Sequence, residues 1–246
     1  MEERKKMSVR DAYEYALIEC NKLKAPAILL EDFVYLFNKA IQQYVNGVYN
    51  RCEYNQQSSD DLGWLHTTIT EECTVEPKFG INGKFYSLSL PSDYLHILGC
   101  KTMMSLPKSL NHCGDNVGST FVSQCTRLTA DLDSGITNNY YMKPSHKKPY
   151  YYITNRDGSQ SIEIHVGNSN YELDEYQISY IRMPNDVELT PEQVCSVVDT
   201  SAELEFPNYV CYEIINLYTR LLLENAGDPR LQTHIPVNQS IATPGN

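Results

Sequence analysis

KFGINGKFYSLSL, residues 78–90, is the stretch on which the reading of the fold turns. Before it, apolar residues recur at helical spacing; from about Glu76 to Met183 they alternate instead. Asn82-Gly83 stands between two short runs, and Asn-Gly is favoured in tight hairpin turns because both central positions need positive φ. Beyond it Tyr86, Leu88 and Leu90 alternate with Phe85, Ser87 and Ser89, the two-residue period of a strand. The pattern returns in YYYIT (150–154) and SIEIHV (161–166), with Asp157-Gly158 as the turn between them. There Ile162, Ile164 and Val166 should face one way, Glu163 and His165 the other. EYQISYIRM (175–183) reads as another strand, closed by Pro184. Residues 105–149 carry Gly114, Gly118, Gly135 and three prolines without periodicity, and read as long loops.

Helices flank this region. Val9, Ala12, Tyr13, Ala16, Leu17, Cys20 and Leu23 form one stripe over 8–24, ended by Lys24-Ala25-Pro26. Leu30, Phe33, Val34, Phe37, Ile41, Tyr44, Val45 and Val48 form a second over about 30–50, giving a helical hairpin. SSDDLGWLHTTI (58–69) offers a serine N-cap with Asp60 and Asp61 in the first turn, so a third, short helix is expected. Thr190-Pro191-Glu192 has the form of an N-cap followed by proline at the first helical position. In FPNYVCYEIINLYTRLLLENAGDP (206–229), Val210, Ile214, Leu217, Tyr218, Leu221 and Leu222 make one face, with Gly227 at C′ and Pro229 blocking continuation.

The expectation is therefore α+β: a helical bundle from N- and C-terminal helices, an inserted antiparallel β domain and an extended C-terminal arm. The divisions fall at 1–75, 76–184, 185–227 and 228–246. The arm carries Pro229, Leu231, Ile235, Pro236, Val237 and Ile241, a mixture able to dock on another chain by strand addition or groove contacts.

Composition narrows the function classes. Of 246 residues, 41% are hydrophobic, yet no apolar run approaches the ~18 needed to span a membrane. MEERKKMSVR has basic residues with no apolar segment behind them, so no secretory signal is expected. The eight cysteines form no CxxC and read as reduced thiols; those at 20, 73, 100, 195 and 211 lie among apolar or β-prone neighbours. A net charge of −11 argues against tight nucleic-acid binding. From Asp186 to Glu213 seven acidic residues (186, 188, 192, 199, 203, 205, 213) occur with no Lys or Arg, a surface that repels phosphate.

No catalytic constellation emerges. His96, Cys100, His112 and Cys113 are zinc-type ligands, but their spacing matches no common site. DLDSG (131–135) begins like a calcium loop and lacks its downstream acid. No G-x-S-x-G elbow, P-loop or GxGxxG is present. Neither a metal, a cofactor nor an enzymatic activity is expected. The 19 tyrosines are the compositional excess, and suit interfaces or sugar-binding surfaces.

NKLKAPAILLEDFVYLFNKAIQQYVNGVYN (21–50) resembles the opening helical hairpin of head–tail connector (adaptor or ring) proteins of tailed bacteriophages, closest to those of crAss-like phages. FYSLSLPSDYLHILGC (85–100), SYIRMPNDVELTPEQ (179–193) and FPNYVCYEIINLYTRLLLENAGDPRLQ (206–232) are similar in the same order. The resemblance implies a virion structural protein at the capsid vertex or tail neck, assembled in the host bacterial cytoplasm. It implies a ring of about twelve copies below the portal, docking the next tail or ring protein and passing DNA without specific binding. Asp186, Glu188, Glu192, Asp199, Glu203 and Glu205 are then the channel-lining candidates, and residues 229–241 the partner-binding arm. The alternative is a β-rich tail or receptor-binding virion protein whose tyrosines contact host glycans.

Overall fold

The computed structural model describes residues 6–20, 28–51, 60–80, 82–106, 120–129, 139–156 and 159–226. They form two compact units, one of Leu65–Met183 and one of the segments before and after it.

Among the described residues the first unit is one eight-stranded sheet. Its strands are β1 His66–Glu72, β2 Lys78–Gly80, β3 Gly83–Ser89, β4 Tyr94–Ser105, β5 Thr120–Arg127, β6 Tyr150–Arg156, β7 Ser159–Gly167 and β8 Glu172–Arg182. The spatial order is β1-β8-β4-β5-β6-β7-β3-β2. Neighbours run antiparallel except β5 and β6, which meet in parallel at Thr126↔Tyr150 and Arg127↔Tyr151.

This overturns the expected helical bundle with an antiparallel insertion: the curled, mixed sheet is the principal element, and the helices are few. Two stretches explain the error. In 58–69 the described helical residues stop at Leu62, because HTTITEE is rich in β-branched residues and completes the sheet beside β8. Glu71 and Glu72 therefore lie on a strand. In 105–149, β5 inverts the usual pattern: Ser123 and Cys125 face inward and are buried, while Val122 is 66% exposed. Small polar residues inside and an apolar one outside hide a strand from any hydropathy reading.

Elsewhere the alternation does its work. Tyr86, Leu88, Cys100, Met104, Ile162, Ile164, Val166, Tyr176, Ile178 and Tyr180 form the sheet's core. Phe85 is buried as well, stacked on His165 at 5.0 Å on the other side of β7. Glu163, buried there, lies 3.5 Å from His165, whose ring also meets Tyr152 edge-on at 4.6 Å. Asp157-Gly158 lies outside the described residues, although β6 and β7 pair up to Arg156↔Ser159.

The second unit is built on α1 Val9–Glu19, α2 Leu30–Tyr49, α3 Pro191–Cys195 and α4 Asn208–Asn225. Ser8 and Asp11 form a capping box on α1. Phe33 and Phe37 stack at 5.1 Å, and Tyr13 and Tyr218 meet Phe33 edge-on at 4.9 and 5.2 Å. These rings join α1, α2 and α4. The buried face of α4 is turned from the expected one: Val210, Ile214 and Tyr218 are inside with Cys211, Ile215, Thr219 and Leu223. Leu217, Leu221 and Leu222 are only half-buried. Gly227, Pro229 and residues 228–246 lie outside the described residues.

Gly167 provides a test of the sheet unit. Its φ is +68°, and a Cβ there would lie 2.0 Å from the Pro144 carbonyl oxygen. Gly167→Ala should cost at least ~1–3 kcal/mol in chemical denaturation, as left-handed backbone and a backbone clash are imposed together.

Candidate interaction surface

The segment between β8 and α4 carries most of the residues singled out in the sequence. After Pro184 it runs extended, and Asn38 on α2 holds it as a strand partner would. Val187 N–H donates to Asn38 Oδ1 at 2.8 Å, and Asn38 Nδ2 donates to the Val187 carbonyl at 3.1 Å. Val187 and Leu189 are thereby buried. Thr190 then caps α3 in a capping box with Gln193, with Pro191 in its first turn. Further on the chain pairs with the N-terminal segment, Val9 N–H to the Ala202 carbonyl and Leu204 N–H to the Met7 carbonyl, both at 2.9 Å.

Between these anchors lies a tightly held loop, 196–201. Asp199 accepts from Ser8 Oγ at 2.5 Å, from Ser201 N–H at 2.9 Å and from Ser201 Oγ at 2.6 Å. Arg10 Nη1 donates to the Ser196 carbonyl at 2.7 Å, and Ser196 Oγ to the Val198 carbonyl at 2.6 Å. The hydroxyls of Ser201 and Ser8, with the Ser201 amide, hold the Asp199 carboxyl down to about 2. At the apex Val197 is fully exposed and Val198 71% exposed. An ordinary loop tip of this polarity would present serine or aspartate.

Beside this loop is a cleft of about 340 Å³. Val9, Ile41, Val187, Leu204 and Phe206 give it an apolar floor; Asp186, Glu188, Glu203 and Glu205 rim it. Glu205 is tied to Asn185, accepting from its backbone N–H at 3.2 Å and from its amide group. A third feature is aromatic. Tyr15 and Tyr212 meet edge-on at 5.9 Å, both about half-exposed, as are Ile18, Tyr209 and Trp64. Tyr209 donates to Asp61 at 2.8 Å, and burial together with that bond pushes its phenol up to about 12. Lys6 Nζ sits 5.6 Å from the centre of the Trp64 ring.

Of the six acidic candidates, four converge at the cleft. Glu192 stands in the exposed first turn of α3, and Asp199 is enclosed in the loop's own hydrogen bonds. The arm candidates Pro229, Leu231, Ile235, Pro236, Val237 and Ile241 lie outside the described residues, as do His112, Cys113 and DLDSG. His96 and Cys100 lie on β4, where Cys100 is buried opposite Cys125. Among the described residues no three His, Cys, Asp or Glu side chains group as metal ligands, and Cys20, Cys73, Cys100, Cys125, Cys195 and Cys211 form no disulfide. Sequence reasoning missed Val197-Val198; two valines between Ser196 and Asp199 were the available signal.

The sheet unit has a cleft of its own, about 660 Å³, near the turn at Gly83 and the loop after β7. His146 stacks on Tyr171 at 4.3 Å, Ser169 Oγ lies 3.3 Å from His146 Nδ1, and Tyr141 is 86% exposed. Asn82, Asn168 and Asn170 line it. Among the described residues no helix is long and apolar enough to cross a membrane. No protein-family model matches the chain, and a search of curated proteins finds no similar sequence.

Asp199 gives the pH test. Its folded carboxyl is depressed from 3.8, so its contribution is complete above pH ~4 and is lost as pH falls towards 2. Asp199→Asn should lower stability by roughly 0.5–1.5 kcal/mol near neutral pH, because solvent screens the lost charge-assisted bonds, and its stability curve should be flatter than the wild type's between pH 4 and 2.

Proposed function

We propose that this chain is a virion structural protein, a subunit of a head–tail connector ring below the portal. The observation that carries the reading is the loop at 196–201, which spends a charged side chain and several hydroxyls to hold two valines in water. Such a display serves association: the loop's entropy is lost on folding, so little more is lost when a partner covers it. The half-exposed aromatic group of Tyr15, Tyr209, Tyr212 and Trp64 supports the same reading, since aromatic residues are enriched where proteins meet. The ordered resemblance of four sequence stretches to connector proteins supplies the biological setting.

The function is mechanical and electrostatic. Copies associate around an axis, extend the DNA channel, and offer a docking surface to the portal and to the next tail or ring protein. The channel lining draws on the exposed carboxylates of the candidate set, Asp186, Glu188, Glu192 and Glu203, with Glu188 and Glu192 left to face DNA where the cleft rim at Asp186 and Glu203 meets a neighbouring copy. Fixed negative charge beside DNA prevents sticking, over a range of about 8 Å at physiological salt. No chemistry is required.

A receptor-binding role in the virion is the second reading, favoured by the sheet-unit cleft. An exposed tyrosine and three asparagine side chains suit a sugar's apolar face and hydroxyls. If that reading holds, Tyr141→Ala should abolish binding to host surface glycans in a glycan array, and the connector reading expects no such binding.

The connector reading is checked by a double variant, Val197→Asp with Val198→Asp. Both positions are exposed, so the melting temperature should stay within a few degrees. Self-association by light scattering should weaken at least tenfold, and particles carrying the variant should lack neck density in electron micrographs. Wild-type assembly by the variant would remove the observation on which the reading stands.

A further inference from the structure

We infer that the cleft between residues 185–193 and 202–206 receives residues 229–246 of a second copy. The cleft combines two requirements: an apolar floor formed by Val9, Ile41, Val187, Leu204 and Phe206, and a wholly acidic charge around its rim. A segment that fits must bring aliphatic side chains and positive charge, and no carboxylates. From 229 to 246 the chain contains Arg230 and His234, with Leu231, Ile235, Val237 and Ile241, and no Asp or Glu. Against a net charge of −11, an acid-free segment with both aliphatic and basic residues complements an acidic cleft, and the more basic stretch 143–156 is committed to the sheet unit, where Tyr150–Arg156 is β6.

The cleft is set to receive a peptide. Asn38 fixes the 185–189 backbone from one side and the N-terminal segment fixes 202–204 from the other. Its volume of about 340 Å³ accommodates two aliphatic side chains rather than a folded element. A neighbouring copy is the better source than the same chain. α4 begins next to the cleft at Asn208, and its 18 residues carry the chain about 27 Å away by Asn225. From Asn225 to Leu231 the chain spans at most about 21 Å when extended, so Leu231 falls short of its own cleft. The tail of a neighbour has no such constraint. An exchange of this kind rests on the ring reading and makes every copy both donor and acceptor, so a heterologous contact can continue around a closed ring.

The experiment uses the full chain with a photo-crosslinking benzoylphenylalanine in place of Leu231, prepared as an equal mixture of ¹⁴N- and ¹⁵N-labelled copies. After irradiation, cross-linked peptides are mapped by mass spectrometry, and electron microscopy of the same sample counts rings. Cross-links from 231 to residues 185–206 should appear as isotopically mixed pairs. Glu203→Lys with Asp186→Lys should reduce them at least tenfold, Arg230→Glu should do the same, and combining the three should restore them. Cross-links confined to single-isotope pairs, cross-links elsewhere, or none at all would each overturn the inference. Rings without the mixed cross-link leave the connector reading standing and remove only the tail exchange. Failure to form rings, alone or with portal present, removes the connector reading as well.

Discussion

The pairing of β1 with β8 is the constraint on which the rest depends. Seven consecutive residue pairs, from His66↔Ile181 to Glu72↔Glu175, set the first strand of the sheet unit against its last. The Arg182 N–H bond to the Leu65 carbonyl at 3.0 Å continues the ladder to the very ends of the unit. The chain therefore leaves the sheet beside the point at which it entered. Everything before Trp64 and after Pro184 starts from one place, although more than a hundred residues separate the two segments. Closing so long a loop is entropically costly for the helices alone. The sheet meets that cost within its own core, and the remaining segments need only find each other locally. Phe33, Phe37 and Tyr218 then complete a second core from residues far apart in the sequence.

The same ladder explains what was legible in the sequence and what was not. Long amphipathic helices were plain, because α2 and α4 each repeat their buried residues over several turns. The hairpin around Asn82-Gly83 was equally plain, but its register lies one residue earlier than the Asn-Gly signal suggests: β2 and β3 pair up to Gly80↔Gly83, so Gly83 closes the ladder instead of occupying the turn. What failed was every inference that needed a partner. HTTITEE has helix-compatible neighbours, and only β8 makes it a strand. TFVSQCTR buries serine and cysteine between β4 and β6, an arrangement set by the adjoining strands rather than by its own hydropathy. The class was misjudged for that reason: the helices announced themselves and much of the sheet did not. At the surface the acidic run could be seen, whereas its sorting into cleft rim, helix N-terminus and loop anchor could not.

That sorting changes the meaning of the charge. Asp199 belongs to the acidic segment in the sequence, yet its carboxylate is engaged by Ser8 and Ser201, and its role is to hold a loop. Its charge does not vanish, because the same donors keep it ionised down to about pH 2. Glu205 is similarly committed to Asn185. Glu213 is drawn into another cluster: burial and the nearby Asp61 carboxylate raise its pKa, while its bond with the Tyr44 hydroxyl acts in the opposite direction. A count of seven acids therefore overstates the carboxylates available to a partner. Asp186, Glu188, Glu192 and Glu203 are the ones that face solvent without such commitments in their described bonds.

The arrangement also separates two contributions that association requires. Exposed carboxylates act over several ångströms and set which partners approach; they favour a cationic segment and repel phosphate. Exposed valines and aromatic rings act only on contact, and provide attraction once water is expelled, about 1.5–3 kcal/mol for each large aliphatic side chain fully covered. In the helical unit exposed carboxylates and exposed valines occur within one short stretch, 186–205, held by hydrogen bonds from Ser8, Arg10 and Asn38. Disturbing those bonds should therefore impair recognition and attachment together. An arrangement that coupled them by chance would have no need of a carboxylate held by three donors merely to support two valines.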